Sequence, residues 1–159
     1  MLHKNEKCYV AVVFDVCVDL KTGQIDLERV AIAADAGQVV NPDGLKNQLE
    51  GGVVQAASWA MKEAVRFDRE NVTSRDWETY PILKFPDGPE VETVLIDRPG
   101  FPSLGSGEAT EGPTPAAIAN AVFDAVDVRL REMPFTPDQS RTNGLKRDSS
   151  TRSCSSGTW

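Results

Sequence analysis

The residues best placed to do chemistry sit in one short loop. Gly105-Ser106-Gly107-Glu108 closes a run from Arg98 that packs in two prolines and three glycines, and it ends in a carboxylate. Glycine lets the backbone take positive φ and come close to a ligand, and a carboxylate projecting from such a loop can serve as a general base. The competing reading is a solvated acid near a helix N-terminus, where its charge suits the macrodipole. A second cluster lies earlier. Gln48 precedes Gly51-Gly52 by three residues, so Gln48, Gly51, Gly52 and Gln55 share one helical face. Two amides beside bare backbone can hydrogen-bond a ligand edge, and a helix packed closely on a neighbour is the alternative. Each glycine in a helix interior costs roughly 1 kcal/mol relative to alanine. The pair therefore needs a reason, either close approach of another backbone or a ligand.

Other chemistry is narrowed by what is scarce. His3 is the only histidine, and the three cysteines (Cys8, Cys17 and Cys154) have no metal-ligand spacing, so a protein zinc site is not expected. General acid or base work then falls to a carboxylate, Lys, Tyr or Cys. The odd cysteine count argues against a disulfide framework, and Cys8 and Cys17, within an apolar run, read as small buried hydrophobes. Asp15 and Asp35 could pair on a metal or be solvated at strand ends. Trp77 and Tyr80 could line a pocket or anchor a long connection to the core. Asn71-Val72-Thr73 matches a glycosylation sequon, which carries no meaning without a secretory signal.

Lys and Arg number 17 against 24 Asp and Glu, a net charge of −7, and no basic cluster of the kind that grips phosphate backbones occurs. Nucleic acid is not an expected partner. No apolar run approaches the ~20 residues that cross a bilayer, and residues 1–7 have no apolar stretch to open a signal peptide. A soluble chain is the expectation.

The elements that position these residues follow from periodicity. Even positions from Val10 to Leu20 are apolar while Asp15 and Asp19 fall on the odd side, a half-buried strand. Lys21-Thr22-Gly23-Gln24 supplies a hairpin turn, and an extended pattern resumes from Ile25 to Ala34. The apolar parity slips between Leu27 and Val30, which suggests a bulge. Asn41-Pro42-Asp43-Gly44 is turn chemistry before a helix of about six turns over 45–67, its stripe running Leu45, Leu49, Val53, Ala57, Met61. Residues 68–90 read as an irregular connection, 91–96 as a third strand. Pro113 or Pro115 opens a second helix with Ile118, Val122, Val126 and Leu130 in line, ending near Met133-Pro134. Residues 1–137 form one domain. Beyond it, residues 138–159 are rich in Ser, Thr and Arg, with Leu145 the only aliphatic core-type residue, and read as a disordered or artefactual tail. The order β-β-α-β-α gives an α+β fold, a small mixed sheet with an opening β-hairpin and two main helices on one face.

Three segments carry a resemblance: GQVVNPDGLKNQLEGGVVQAASWAMKEAV, WETYPILKFPDGPEVETVLIDRP and PSLGSGEATEGPTPAAIANAVFDAVDVRLREMPFTP. Together they resemble the C-terminal part of the molybdenum-binding large subunit of the xanthine dehydrogenase and aldehyde oxidase family. The likeness is strongest to its bacterial nicotinate dehydrogenase and isoquinoline oxidoreductase branch. The resemblance implies a molybdopterin-binding subdomain of a hydroxylase that puts water-derived oxygen into an N-heteroaromatic ring or an aldehyde. It implies a molybdenum-pterin cofactor, in bacteria commonly the molybdopterin cytosine dinucleotide, held without protein thiolates. Glu108 matches the family's glycine-glutamate motif and is implied to be the general base. Gln48 matches the glutamine of a Gln-x-x-Gly-Gly segment and is implied to contact the pterin or nucleotide, with Gly51 and Gly52 allowing close approach. Gly107, Ala109 and Thr110 are implied to shape the floor of the metal pocket. The family's earlier glycine-rich segments are missing, as is any cysteine-rich region for iron-sulfur clusters. The implied partners are the remaining half of the large subunit and an iron-sulfur subunit or domain, besides a small-molecule substrate. Compartment, cytoplasmic or membrane-associated, would then follow those partners. A catalytically silent domain kept for assembly or partner binding is the alternative.

Overall fold

Residues 1–4, 8–142 and 152–155 are described in the computed structural model. Among them, five strands form one mixed sheet: β1 (Leu2–Lys4), β2 (Tyr9–Asp19), β3 (Ile25–Asp35), β4 (Glu90–Ile96) and β5 (Arg152–Cys154). The alternation in β2 places Val10, Val12, Phe14, Val16, Val18 and Leu20 inside, as the period-two pattern requires. β2 and β3 join as an antiparallel hairpin whose turn is set by Gly23 at φ +78°, with Asp19 Oδ1 accepting from the Lys21 and Thr22 amides at 2.8 Å. Asp15 pairs with Arg29 and Val16 with Leu27, so Glu28 is the extra residue of a bulge. The parity slip in the sequence is this bulge. β4 runs parallel to β3, with Val30, Ile32 and Ala34 opposite Val91, Thr93 and Leu95. A parallel neighbour requires a crossover, which here contains the first helix.

That helix, α1 (Pro42–Met61), is capped by the Asn41 side chain, which accepts from the Gly44 amide at 3.0 Å, and has Pro42 in its first turn. It stops short of the expected end at residue 67. The Phe135 amide donates to Ala60 O at 2.6 Å and the Lys62 amide to Ser58 O at 2.9 Å. The incoming Phe135 thus takes up the Ala60 carbonyl that a longer helix would use, while the Lys62 bond is the helix's own last i→i−4 bond. α2 (Pro113–Val126) also ends earlier than its apolar stripe suggests. Asp127, at φ +55°, terminates it in the left-handed region, and Arg129 folds back over the Phe123 ring, 3.5 Å from its centroid. Val128 and Leu130 remain buried, but from chain outside the helix. Both helices close one core with the inward residues of β2 and β3, including Leu49, Val53, Ile118 and Val122.

β1 pairs with Tyr9–Ala11 of β2. Two expectations are corrected at the C-terminal end. The segment read as a tail contributes a short helix, α3 (Pro137–Thr142), and β5, which pairs with Cys17–Asp19. Cys17 and Cys154 face each other across that pairing and form a disulfide, so Cys17 is no small buried hydrophobe, whereas Cys8 is a buried thiol. Burial and the nearby Asp35 charge push the Cys8 thiol up. The segment is held by strand pairing, the disulfide and serine hydrogen bonds rather than by apolar burial, which is why composition did not reveal it. The Ser155 amide donates to Val16 O at 2.9 Å, the Val16 amide to Ser155 Oγ at 3.1 Å, and Ser153 Oγ to Ala125 O at 2.6 Å. Residues 143–151 and 156–159 of the expected tail lie outside the described residues.

Candidate functional site

β3 and β4, being parallel, end side by side, and the chains leaving them are laced together. The Leu104 amide donates to Ala36 O at 2.8 Å, the Arg98 amide to Gly37 O at 3.1 Å, and Ser103 Oγ to Gln38 O at 2.7 Å. Gly37 sits at φ +73°, and a Cβ there would lie 2.1 Å from Pro102 O, so only glycine lets the two backbones meet. The first of these chains turns into α1. The second runs on as Gly105-Ser106-Gly107-Glu108 and reaches α2 through successive turns, with the Ala109 amide donating to Ser106 O and the Glu111 amide to Glu108 O, each at 3.3 Å.

Both sequence clusters come together where this loop crosses α1. Gln48 Nε2 donates to Gly107 O at 3.0 Å, and Thr110 Oγ1 donates to Leu49 O at 3.1 Å. The two glycines of α1 do different work. A Cβ on Gly52 would lie 2.4 Å from Thr110 Oγ1, so Gly52 is what allows the loop to dock. A Cβ on Gly51 would meet nothing within 4 Å. Gly107 is equally bare. Gln48, Gly51 and Gln55 are exposed while Gly52 is buried, so the face that they share by spacing is split between solvent and core. Beside Gly51 and Gln55 lies a groove of about 820 Å³, with Val54 and Phe85 among its walls.

Glu108 is exposed at the crest of the loop, and its carboxylate has no hydrogen bond or ion pair among the described residues. Gln48 spends one amide hydrogen on Gly107; its carbonyl oxygen has no protein partner among the described residues. Ala109 and Thr110 are buried beneath the loop, each 1% exposed, so they brace it from below and are not on its surface. Thr110 is braced in turn by Thr114 Oγ1, which donates to Thr110 O at 2.7 Å.

The remaining sequence candidates do not converge here. Asp15 stands opposite Arg29 and Asp35 opposite Tyr9, well apart along β2, and they form no pair. Asp35 instead accepts from Arg98 Nη1 at 2.8 Å and from the Gly37 amide at 3.0 Å, and these two contacts, Arg98 first, hold its carboxyl below the ordinary carboxylate range. Trp77 is 75% exposed and anchors nothing to the core, whereas Tyr80 OH ties its connection to Glu63 at 2.8 Å. The Asp35–Arg98 contact was missed because no local spacing joins residues 63 apart; only the parallel register brings them together.

The residues present fit one wall of a cofactor site. Gly51 and Gly107 offer bare backbone, and the Gln48 carbonyl and the Glu108 carboxylate have no partner among the described residues. No group of three or more His, Cys, Asp or Glu that could hold a metal ion occurs among the described residues.

Comparison with known proteins identifies the family. The family described as a molybdopterin cofactor-binding domain matches residues 3–89. A nicotinate dehydrogenase chain of Pseudomonas putida is 44% identical over 133 residues, 84% of this chain but 11% of its own length. A membrane-bound pyrroloquinoline-quinone aldehyde dehydrogenase of Gluconacetobacter polyoxogenes is 37% identical over 125 residues, 79% of this chain and 16% of its own. Quinoline 2-oxidoreductase from Pseudomonas putida 86 superposes with a TM-score of 0.79 at 23% identity, covering 89% of this chain and 19% of that one, which establishes a shared fold. The chain thus spans under a fifth of each of these proteins. It belongs to the molybdopterin cofactor-binding domain family, with relatives among the xanthine dehydrogenase-type molybdenum enzymes.

Proposed function

We propose that the chain is a cofactor-embracing subdomain of a molybdenum hydroxylase that oxidises an N-heteroaromatic or aldehyde substrate with water-derived oxygen, Glu108 acting as general base. The observation that carries the reading is Gly51. A helical glycine costs roughly 1 kcal/mol relative to alanine, and nothing among the described residues occupies the space its missing side chain leaves open. A ligand against that surface supplies the reason. Gln48, Gly51 and Gly107 hold the molybdenum-pterin cofactor, while Gly52, Ala109 and Thr110 fix the loop against which it lies. The form of the cofactor in this reading is the cytosine dinucleotide. The quinone in the Gluconacetobacter relative's name is not carried over, since the matching family is a molybdopterin-binding one.

When bound, the cofactor supplies two-electron redox chemistry and acidifies the attacking oxygen. Glu108 would accept a proton at its carboxylate, whose oxygens have no partner among the described residues. The rest of the large subunit covers the loop and excludes water, and an iron-sulfur partner takes the electrons onward. A catalytically silent domain serving assembly is the second reading, favoured by the exposure of Glu108.

The test is made in a complex reconstituted with the missing part of a related large subunit. Glu108→Gln keeps volume and polarity but removes the base, and turnover should fall by ~10² to 10⁴ with molybdenum content unchanged. Gln48→Ala and Gly51→Ala should do the reverse, lowering molybdenum content while activity per bound metal holds. Turnover within a few fold of the parent for Glu108→Gln at full loading refutes the base and favours the silent domain.

A further inference from the structure

We propose that Asp35 and Arg98 are positioning residues for Glu108: they close a clasp between the ends of β3 and β4 that fixes where the Gly105–Glu108 turn leaves the sheet. Only its catalytic consequence rests on the reading of Glu108 given above.

The clasp is a zipper of backbone and side-chain bonds around one ion pair. Asp35 Oδ2 accepts from Arg98 Nη1 at 2.8 Å while Oδ1 accepts from the Gly37 amide at 3.0 Å, so both carboxylate oxygens are committed. The Arg98 amide returns to Gly37 O at 3.1 Å, Asp97 Oδ1 accepts from the Val39 amide at 2.9 Å, and the Leu104 amide donates to Ala36 O at 2.8 Å. Arg98 also lies over the Phe101 ring, 4.0 Å from its centroid. One guanidinium therefore joins a strand end, through Asp35, to the aromatic that starts the loop. An exposed ion pair by itself stabilises little. This one differs in that its carboxylate is only 17% exposed and is oriented by a backbone amide, the arrangement in which a charge-assisted bond fixes direction.

What the clasp controls follows from where it stops. Its last bond is at Leu104, and the next anchors are Gly107 O on Gln48 and Thr110 Oγ1 on Leu49. Only Gly105 and Ser106 lie between the bond at Leu104 and the anchor at Gly107, and Gly105 has no side chain to restrain it. A loop this permissive holds a carboxylate in one place only if both ends are fixed. The α1 contacts hold one end and the clasp holds the other.

The experiment uses the full chain, with backbone ¹⁵N relaxation and amide exchange on Asp35→Ala, Arg98→Ala, the double variant and Arg98→Lys. Either alanine variant should take the Gly105–Glu108 amides from order parameters of about 0.85 to under about 0.6. The Leu104 amide should exchange at least about tenfold faster in both, while amides of the β2–β3 ladder keep their protection. The double variant should add little to either single one, as expected of one coupled device. Arg98→Lys, which keeps the charge without the planar fork, should recover part of the protection. Unchanged loop order parameters overturn the proposal, and so does loosening that spreads through the β2–β3 ladder. In the reconstituted enzyme Asp35→Ala should lower kcat with KM within twofold, and a mobile loop with unchanged kcat also overturns it. Failure of Glu108→Gln to slow turnover, with the clasp intact by relaxation, refutes the base alone.

Discussion

Alanine at Gly51 and at Gly52 should have opposite effects on stability, although the two residues are adjacent and chemically identical. At Gly51 the added methyl meets nothing within 4 Å, so only helix propensity changes, a gain of about 1 kcal/mol. At Gly52 the same gain is overridden. The methyl would lie 2.4 Å from Thr110 Oγ1, an oxygen on a β-branched side chain 1% exposed, which cannot swing away without vacating its bond to Leu49 O. Overpacking of this kind costs about 1–3 kcal/mol and the lost buried hydrogen bond about 1 more. The two variants should therefore differ by roughly 2–4 kcal/mol, each kcal/mol moving Tm by about 2–4 °C in a chain of this size. Urea unfolding followed by far-UV circular dichroism gives the comparison. Thr110→Ala in the Gly52→Ala background should restore part of the loss, giving a coupling of at least about 1 kcal/mol. Equal stability of the two glycine variants, or zero coupling, would refute the account of how the loop docks on α1.

Reduction of Cys17–Cys154, which links residues 137 apart, should lower stability by about 2–5 kcal/mol, and chemical denaturation with and without dithiothreitol would show it; no change means β5 stays docked without the link. Asp19, Asp35, Asp68 and Asp76 all have carboxyl pKa values lowered in the fold, chiefly by the Thr22 amide, Arg98, the Glu70 amide and the Thr79 amide respectively. A depressed folded pKa stabilises above the unfolded value and is lost as pH falls through the folded one, so urea midpoints should hold from pH 7 to about 4 and drop below it. A flat profile down to a pH of about 2.5 contradicts this. Val13, Val94 and Ile96 are exposed on the uncovered sheet face, and Phe67, Trp77 and Phe85 elsewhere, so the isolated chain should self-associate; sedimentation as a clean monomer at high concentration would count against that.

How much of this was legible in the sequence depends on the distance over which each feature is decided. The inward residues of β2, the Gly23 turn and the bulge at Glu28 are set by neighbours a few residues away, and alternation alone reveals them. Helix ends were less legible. Asp127 stops α2 by adopting left-handed backbone, and Phe135 seals α1 from far downstream, while the apolar stripes run on past both. β5 was invisible because Arg152, Ser153 and Cys154 carry no strand pattern; they are ordered by an edge of β2 that only the folded sheet provides. At the site, the two glycines announced that something comes close. Which one meets Thr110 and which stays open is a matter of helix rotation against a loop 59 residues away. The resemblance joined Gln48 to Glu108, and the geometry separated the residues that face outward from Ala109 and Thr110, which lie under them.

The location of the loop is itself explained by topology. Antiparallel neighbours end at opposite edges, so a hairpin cannot bring two outgoing chains together, whereas the parallel pair β3–β4 ends at Asp35 and Ile96 in register. Chains leaving the carboxyl ends of parallel strands open a crevice, the place where α/β sheets bind ligands. Here one outgoing chain becomes the first turns of α1, carrying Gln48 and Gly51, and the other becomes the loop of Glu108. A crevice left unlaced would be two mobile loops. Gly37, by removing a side chain that would strike Pro102 O, allows the lacing, and Asp35 with Arg98 draws it shut. The same glycine-for-contact exchange recurs at Gly52 beneath Thr110. Around the loop, Gly37 and Gly52 thus let neighbouring segments close in, while Gly51 and Gly107 leave backbone open.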